Sequence, residues 1–383
     1  MKKVLVLINY YLPGFKAGGP IRSVSNMVER FQNEFEFWIF TRDRDLGDEA
    51  PYEDVSLKVW NHVGNQNVYY CSSSSWQAIR RVVREVSPQI VYLNSFYADF
   101  TIKYLVLRKS RLIPQIPTIV APRGVFSPGA LRIRRLKKLS FIKLTYALGL
   151  YQNVLWHASS RIEAREIQAV LGKSNSIHVA PNLPSAGTIN HNLSHSSVKL
   201  PGSAKFIFLS RISPKKNLLG GLLLLKDLTG KVEFSIVGPV DDNKYWTQCQ
   251  EVMQSLPANV EIHYLGAISP DKVVPIMNQN HFFLFPTLGE NFGHVILEAL
   301  IAGCPVIISD QTPWHNLKQQ GVGWDLSLDS EGDWVQILQH CIDMEHNIFA
   351  AMRQKAQEFA SKYVANSDIY QANEQLFQRA QQR

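Results

Sequence analysis

The chain has 383 residues, of which 45% are hydrophobic and 19% charged, with a formal net charge of +8. That length exceeds one ordinary core and predicts two domains, and the composition excludes disorder. No apolar run approaches the roughly 20 residues needed to cross a bilayer. The four cysteines, Cys71, Cys249, Cys304 and Cys341, have no metal-ligand spacing, which predicts reduced thiols in a cytoplasmic protein.

The charge is unevenly spread. Residues 1–185 carry 25 Lys and Arg against 13 Asp and Glu, whereas residues 186–383 carry 15 against 19. A basic first half predicts an anionic partner: nucleic acid, a membrane surface or a phosphorylated substrate. Met1-Lys-Lys-Val-Leu-Val-Leu-Ile8 resembles a signal start but lacks a cleavage site, and it reads as a first buried strand.

After that strand, Pro13-Gly-Phe-Lys-Ala-Gly-Gly-Pro20 reads as a glycine loop before a helix over 21–31. Strand, glycine loop and helix together offer backbone N–H groups to an anion. Residues 35–40 predict a strand, 41–47 and 61–65 loops, 76–86 a helix, and 90–93 a strand ending at Asn94. Residues 102–107 predict a helix, and 118–121 a strand running into Pro122-Arg-Gly124. The alternation predicts a doubly wound α/β domain, with Gly18, Gly19, Asn94 and Arg123 on the rim beyond the strand ends. Residues 131–144 interleave cations with apolar residues, as in a solvated basic helix or one lying on anionic lipid. His157 ends an apolar strand over 154–158, and a serine-started, glycine-stopped helix follows over 159–172.

The small polar residues of 186–203 predict a linker between a first domain, 1–185, and a second, 204–362. In the second domain a strand over 206–210 leads into Arg211-Ile-Ser-Pro-Lys-Lys216 and a leucine-rich helix over 218–225. Further strands end at Gly238-Pro239 and at Leu265-Gly266. A strand over 281–285 then enters Pro286-Thr-Leu-Gly-Glu-Asn-Phe-Gly-His-Val-Ile-Leu-Glu-Ala-Leu-Ile-Ala-Gly-Cys-Pro305. Here Glu290-Asn-Phe-Gly293 is predicted to open a helix that carries Glu298. Eight helical positions span about 12 Å. That is too far for two carboxylates to flank one glycosidic bond, but it suits two grips on one long ligand. Carboxylates accept from hydroxyls, whereas cations and helix-mouth N–H groups serve phosphate, so Arg211 and Lys216 suit a diphosphate. Residues 363–383 predict a helix that packs back on the first domain.

The Arg211 to Lys216 segment, Gly238-Pro239, Leu265-Gly266 and the stretch from Pro286 to Val306 resemble the retaining glycosyltransferases of family 4. The resemblance extends over nearly the whole chain. It implies a GT-B fold, two doubly wound Rossmann-like domains facing a central cleft. It also implies transfer with retention from a nucleotide-diphosphate sugar to a hydroxyl of a glycan acceptor. Glu290 then resembles the residue that holds the donor sugar, Glu298 the ribose ligand, and Arg211 with Lys216 the diphosphate clamp. Gly18 and Gly19 resemble the first-domain loop approaching the donor. Gly238, Gly266, Ile268, Asn291, Phe292 and Gly293 line the implied donor site.

Asn94 stands where many members have a histidine. Asn94, Arg123 and His157 are candidates for contact with acceptor or donor sugar, and Arg123 also for a phosphate. The resemblance implies no metal and no cofactor, so Asp241-Asp242 is read as a loop pair. The Pro122 to Ala130 segment resembles enzymes of bacterial surface polysaccharide, which implies O-antigen, capsule or exopolysaccharide synthesis. The implied partners are the donor and a lipid-linked or oligosaccharide acceptor, with an anionic membrane surface through 131–144 and no nucleic acid. The implied location is cytoplasmic, at the inner face of the cell membrane if that helix docks. The competing readings are a nucleotide-sugar-binding relative without transfer, and a basic protein of membrane surfaces or nucleic acid. A nicotinamide oxidoreductase would need Gly-x-Gly-x-x-Gly after the first strand, and Gly14, Gly18 and Gly19 lack that spacing.

Overall fold

The computed structural model describes residues 1–72, 75–132, 135–172, 176–185 and 198–382. The chain forms two compact units, Met1–Ala186 with Asn366–Arg383, and Gly187–Ala365.

Among the described residues, the first unit has eight strands: β1 (Lys2–Leu7), β2 (Phe35–Arg42), β3 (Trp60–Val63), β4 (Gln66–Cys71), β5 (Ile90–Asn94), β6 (Thr118–Ala121), β7 (Val154–Ala158) and β8 (Ile177–Val179). They lie in the order β3-β4-β2-β1-β5-β6-β7-β8, parallel except for the β3–β4 hairpin at the edge. Every residue of β5, β6 and β7 is buried, as expected of parallel strands covered on both faces. The helices of this unit are α1 (Gly19–Phe31), α2 (Trp76–Val86), α3 (Asp99–Lys109), α4 (Pro128–Arg132), α5 (Arg135–Ala147) and α6 (Arg161–Leu171).

The second unit has six parallel strands among the described residues: β9 (Ser203–Leu209), β10 (Lys231–Val237), β11 (Val260–Gly266), β12 (Phe282–Phe285), β13 (Val306–Ser309) and β14 (Gly323–Leu326). Their order is β11-β10-β9-β12-β13-β14. Helices α7 (Leu218–Leu223), α8 (Asn243–Gln254), α9 (Val273–Asn278), α10 (His294–Ile301), α11 (Leu317–Gln320), α12 (Glu331–Asp343) and α13 (His346–Val364) accompany it. The last helix, α14 (Ser367–Gln381), belongs to the first unit. There Tyr370 stacks on Phe31 with ring centroids 4.6 Å apart, and the Asn373 amide donates to Pro181 O at 2.8 Å.

Both sheets reverse their strand order at one point, between β1 and β5 in the first unit and between β9 and β12 in the second. Loops leaving the carboxyl ends of strands at such a point diverge and leave a crevice for ligand. The Gly18 loop follows β1, and Asn94 ends β5. The Arg211 loop follows β9, and the Glu290 loop follows β12. Topology thus places Gly18 and Asn94, and Arg211 and Glu290, at the switch point of their own unit, whereas Arg123 follows β6, His157 lies in β7, and Gly238 and Gly266 close β10 and β11.

The structure corrects several expectations. Residues 61–65, read as loop, sit in the β3–β4 hairpin, whose turn carries Gly64 at φ 59°. Gly19 is the first residue of α1 rather than part of a loop, and Gly18 is its cap at φ 70°. Helix α10 begins at His294, so Glu290 stands in a loop before the helix and the 12 Å helical separation does not apply. The basic stretch is two helices, α4 and α5, with Ile133 and Arg134 outside the described residues. Of the predicted linker, residues 186–197 lie outside the described residues. Lys199, also assigned to the linker, is fully buried, and its amine donates to Ile342 O at 2.7 Å and Met344 O at 3.1 Å. It thereby satisfies carbonyls at the end of α12 and ties this segment into the second unit. That unit ends at Ala365 rather than at 362.

Candidate active site

In the second unit the loops after β9 and β12 are stitched to each other. Leu288 N donates to Lys215 O at 2.8 Å, Thr287 Oγ1 to the same oxygen at 3.2 Å, and Asn217 Nδ2 to Pro286 O at 2.9 Å. Asn217 adopts a left-handed conformation, φ 55°, and its Oδ1 accepts from Gly220 N at the start of α7. One small polar residue therefore ends the Lys216 turn, caps the helix and holds the facing loop. Ser309, at the end of β13, donates its hydroxyl to Thr287 O, and Glu290 N donates to Gln311 O at 2.9 Å.

That scaffold brings Lys216 and Glu290 together, 74 residues apart in sequence, with the lysine amine donating to Glu290 Oε1. Each side chain is only 14% exposed. An exposed ion pair is worth about 0–1 kcal/mol, but one shielded to this degree loses less to screening. Arg211 instead pairs with Asp241 at 2.9 Å, and both are 35% exposed, so this bond is weak enough to be exchanged for a phosphate. Asp242 caps α8, its Oδ1 accepting from Tyr245 N at 3.0 Å. The acidic pair therefore splits into a surface partner for Arg211 and a helix cap.

Helix α10 is seated by Ile296, Leu297, Ala299 and Leu300, all buried, with Glu298 half-buried in its second turn. Gly293 takes φ 76° immediately before it, and a Cβ there would lie 2.7 Å from Ile296 Cδ1. At the far end Gly303 closes a Schellman turn, with Cys304 N donating to Ala299 O at 2.8 Å. Phe292 is locked between rings, its centroid 5.6 Å from Trp314, whose indole N–H donates to Phe292 O. The side-chain nitrogen of Asn291 is buried and has no hydrogen-bond partner among the described residues. Gly238 and Gly266 sit at the ends of β10 and β11, Gly238 N donating to Gly266 O at 2.7 Å. Ile268 packs half-buried on the core just beyond.

In the first unit the glycine segment is fixed at its base and open at its tip. Asp45 Oδ2 accepts from Phe15 N at 2.6 Å and Lys16 N at 2.9 Å, and Tyr70 OH donates to Leu12 O at 2.6 Å. A Cβ added at Gly18 or Gly19 would meet nothing within 4 Å. Asp45, buried to 3% exposure, stood in a stretch read as loop, and no local sequence signal marks it as the anchor.

Asn94, Arg123 and His157 are joined through two residues not singled out from sequence. Arg123 donates from Nε to Asn94 Oδ1 at 2.7 Å, from Nη1 to Asn182 Oδ1 at 2.6 Å and from Nη2 to Tyr92 OH at 2.9 Å. Tyr92 OH lies 2.7 Å from His157 Nδ1, and His157 Nε2 lies 2.8 Å from Ala180 O. A carbonyl only accepts, so Nε2 carries the proton and Nδ1 accepts from Tyr92. Both ring nitrogens are thereby committed inside the protein, and His157 supports Arg123 through Tyr92 rather than presenting itself at a surface.

Burial, reinforced by the Arg123 cation, holds the His157 pKa down at about 3. In the second unit burial does the same to His281, also to about 3. Between pH 3 and the ordinary value near 6.5 the unfolded chain takes protons that these folded histidines refuse. Stability is therefore intact above pH 6.5 and falls as the pH drops through that window. Each site is expected to lose about 2 kcal/mol between pH 7 and pH 5. Urea unfolding at the two pH values checks this, and equal midpoints would contradict it.

Residues 191–324 match the family of glycosyl transferases group 1. A stretch of 119 residues, 30% of the chain, is 29% identical to the alpha-monoglucosyldiacylglycerol synthase of Streptococcus pneumoniae, and the chain spans 26% of that relative's length. Among solved structures, a sucrose-phosphate synthase from Thermosynechococcus elongatus is similar at a TM-score of 0.72 with 14% identity, covering 99% of both chains. Anabaena HepE in complex with UDP-glucose gives a TM-score of 0.70 with 17% identity over 99% of both chains. WaaG, a glycosyltransferase involved in lipopolysaccharide biosynthesis, gives 0.67 with 14% identity over 96% of this chain and 98% of its own. With two Rossmann-like parallel sheets and these structural neighbours, the chain has the GT-B fold of glycosyltransferases.

Proposed function

We propose that the protein is a retaining glycosyltransferase that moves a sugar from a nucleotide-diphosphate donor to a hydroxyl of a glycan acceptor. The observation that carries this reading is the Lys216–Glu290 pair at the switch point of the second unit, beside Arg211 and ahead of α10. The match of residues 191–324 to glycosyl transferases group 1 covers this segment. In this reading Arg211 and Lys216 hold the diphosphate, Glu290 accepts from hydroxyls of the donor sugar, and Glu298 accepts from the ribose.

The acceptor oxygen bonds to the anomeric carbon on the face from which the diphosphate leaves. The breaking C–O bond leaves its electron pair on the phosphate oxygen, which takes the acceptor's proton. The two cations offset charge on that oxygen as it leaves, so the step as proposed calls on no metal. The likeness to WaaG supports a product in bacterial surface polysaccharide. A thermal-shift screen with UDP-, GDP- and ADP-linked sugars tests the donor class. One nucleotide family is expected to raise the unfolding midpoint. No shift with any of them at millimolar concentration would contradict the reading.

The acceptor is proposed to be lipid-linked or an oligosaccharide, met at a membrane surface through α5. No helix among the described residues is long and apolar enough to cross a membrane. Instead Leu136 and Leu144 project at 82% and 58% exposure among the exposed cations Arg135, Lys137 and Lys143. Protruding apolar groups beside cations suit an anionic lipid interface, where each cation contributes about 1 kcal/mol. The double variant Arg135→Glu, Lys137→Glu is expected to weaken binding to anionic vesicles by roughly 10- to 100-fold. Sedimentation with such vesicles measures this, and unchanged binding would remove α5 from the account.

A further inference from the structure

The Arg123 side chain is a cation whose three protein acceptors are all neutral. Asn94 and Asn182 offer amide oxygens, and Tyr92 offers a hydroxyl whose own proton goes to His157. Among the described residues, no carboxylate forms an ion pair with Arg123. The buried carboxylate of this region, Glu163, is turned elsewhere, with Oε1 accepting from Gly124 N at 2.7 Å and Oε2 from Ser159 N at 2.8 Å. A guanidinium has five N–H donors. Three are spent here, which leaves one on each terminal nitrogen. Two N–H groups on neighbouring nitrogens are what a carboxylate or phosphate accepts in a bidentate pair.

The backbone points the same way. Arg123 has φ 60°, a left-handed conformation costly for a residue with a side chain, and Gly124 follows at φ 74°. The Glu163 contact to Gly124 N holds this turn in place. The cation is thus fixed at the backbone and at three side-chain points, half-buried, beyond the carboxyl ends of β5 and β6.

We propose that Arg123, held by Asn94, Asn182 and Tyr92, forms an oxyanion-binding site in the first unit, and that it takes a carboxylate or phosphate of the acceptor. Its assignment to the acceptor rests on the transferase reading, but the anion site itself does not. The donor's diphosphate has its own cations in the second unit, and the first half of the chain, with 25 basic against 13 acidic residues, suits a second anion.

The test is calorimetric titration of the full chain with glucose 1-phosphate, glucuronate, neutral glucose and UDP. The wild-type chain is expected to bind at least one of the two anionic sugars more tightly than glucose by about tenfold or more. Preference for glucose 1-phosphate assigns a phosphate, and preference for glucuronate a carboxylate. Asn182→Asp keeps an acceptor for Nη1 but sets a negative charge against the guanidinium. It should erase the preference for anions while leaving UDP affinity unchanged. Arg123→Gln should erase it too, if that variant folds. Equal binding of anionic and neutral sugars by the wild-type chain would overturn the proposal, and so would an undiminished anion preference in Asn182→Asp. A parallel loss of UDP binding would reassign Arg123 to the donor. Anion binding that survives in a chain with no transfer activity would sink the transferase reading alone.

Discussion

Replacing Glu290 with alanine is expected to lower sugar transfer about 10³-fold at saturating donor, with the fold intact. The path of the Glu290 loop is set by Glu290 N donating to Gln311 O, by Leu288 N donating to Lys215 O and by the hydroxyls of Thr287 and Ser309. Of these groups, the Thr287 hydroxyl also reaches Glu290 Oε1, at a long 3.5 Å, and the other bonds do not use the carboxylate. What the carboxylate does is hold Lys216 and, in the proposed reaction, accept from the donor sugar. Two charge-assisted hydrogen bonds at about 1.5–3 kcal/mol each correspond to roughly 10²–10⁴ in rate if they are made in the transition state. The folding penalty is the loss of one partly buried ion pair, about 1–2 kcal/mol. Glu290→Gln keeps an acceptor without the charge and should fall between the two. Turnover and the unfolding midpoint, measured on the same samples, separate the effects. Near-normal turnover in Glu290→Ala would remove Glu290 from the reaction.

Gly238→Ala is expected to be the most damaging single methyl group added to the second unit's site. A Cβ there would lie 1.9 Å from Ser210 O and 2.7 Å from Ser210 C, and the residue's φ is 139°. The obstacle is backbone, so no rotamer change relieves it. Ser210 directly precedes Arg211, and Ser210 N donates to Val237 O at 3.0 Å, so relief would move the loop that carries Arg211. A cost of about 4 kcal/mol or more follows, lowering the unit's melting point by roughly 10 °C. Calorimetry on the variant checks this. Gly19→Ala is the control, because an added Cβ there meets nothing within 4 Å. Equal melting of the two variants would refute the steric argument.

The doubly wound architecture was legible because buried parallel strands leave continuous apolar runs, and 206–210 and 281–285 read clearly as strands. The second unit's site was legible because glycines and charges cluster where those strands end. The start of α10 was not. Glu290-Asn-Phe-Gly293 has the composition of a first helical turn, yet Gly293 takes φ 76° and Trp314, 22 residues on, holds Phe292 O. The β3–β4 hairpin was missed although Gly64-Asn65 lies between Trp60-Asn-His-Val and Gln66-Asn-Val-Tyr, a two-residue turn signal. Asp45, Asn182 and Tyr92 were beyond reach for a different reason. Their partners lie 29 to 59 residues away, and only folding brings an acceptor to those donors. His157 was visible as a histidine at a strand end, but its role depends on Tyr92 and Ala180, which sequence order does not connect.

The central claim is that the second unit's switch point is the donor site of a sugar transferase, and acceptor-dependent nucleotide diphosphate release tests it most directly. The donor is chosen by the thermal-shift screen, and the product's anomeric configuration is read by proton NMR. Release is expected to rise with acceptor, to fall about 10³-fold in Glu290→Ala, and to give a product with the donor's anomeric configuration. Release that is independent of acceptor, or equal in wild type and Glu290→Ala, would contradict the claim.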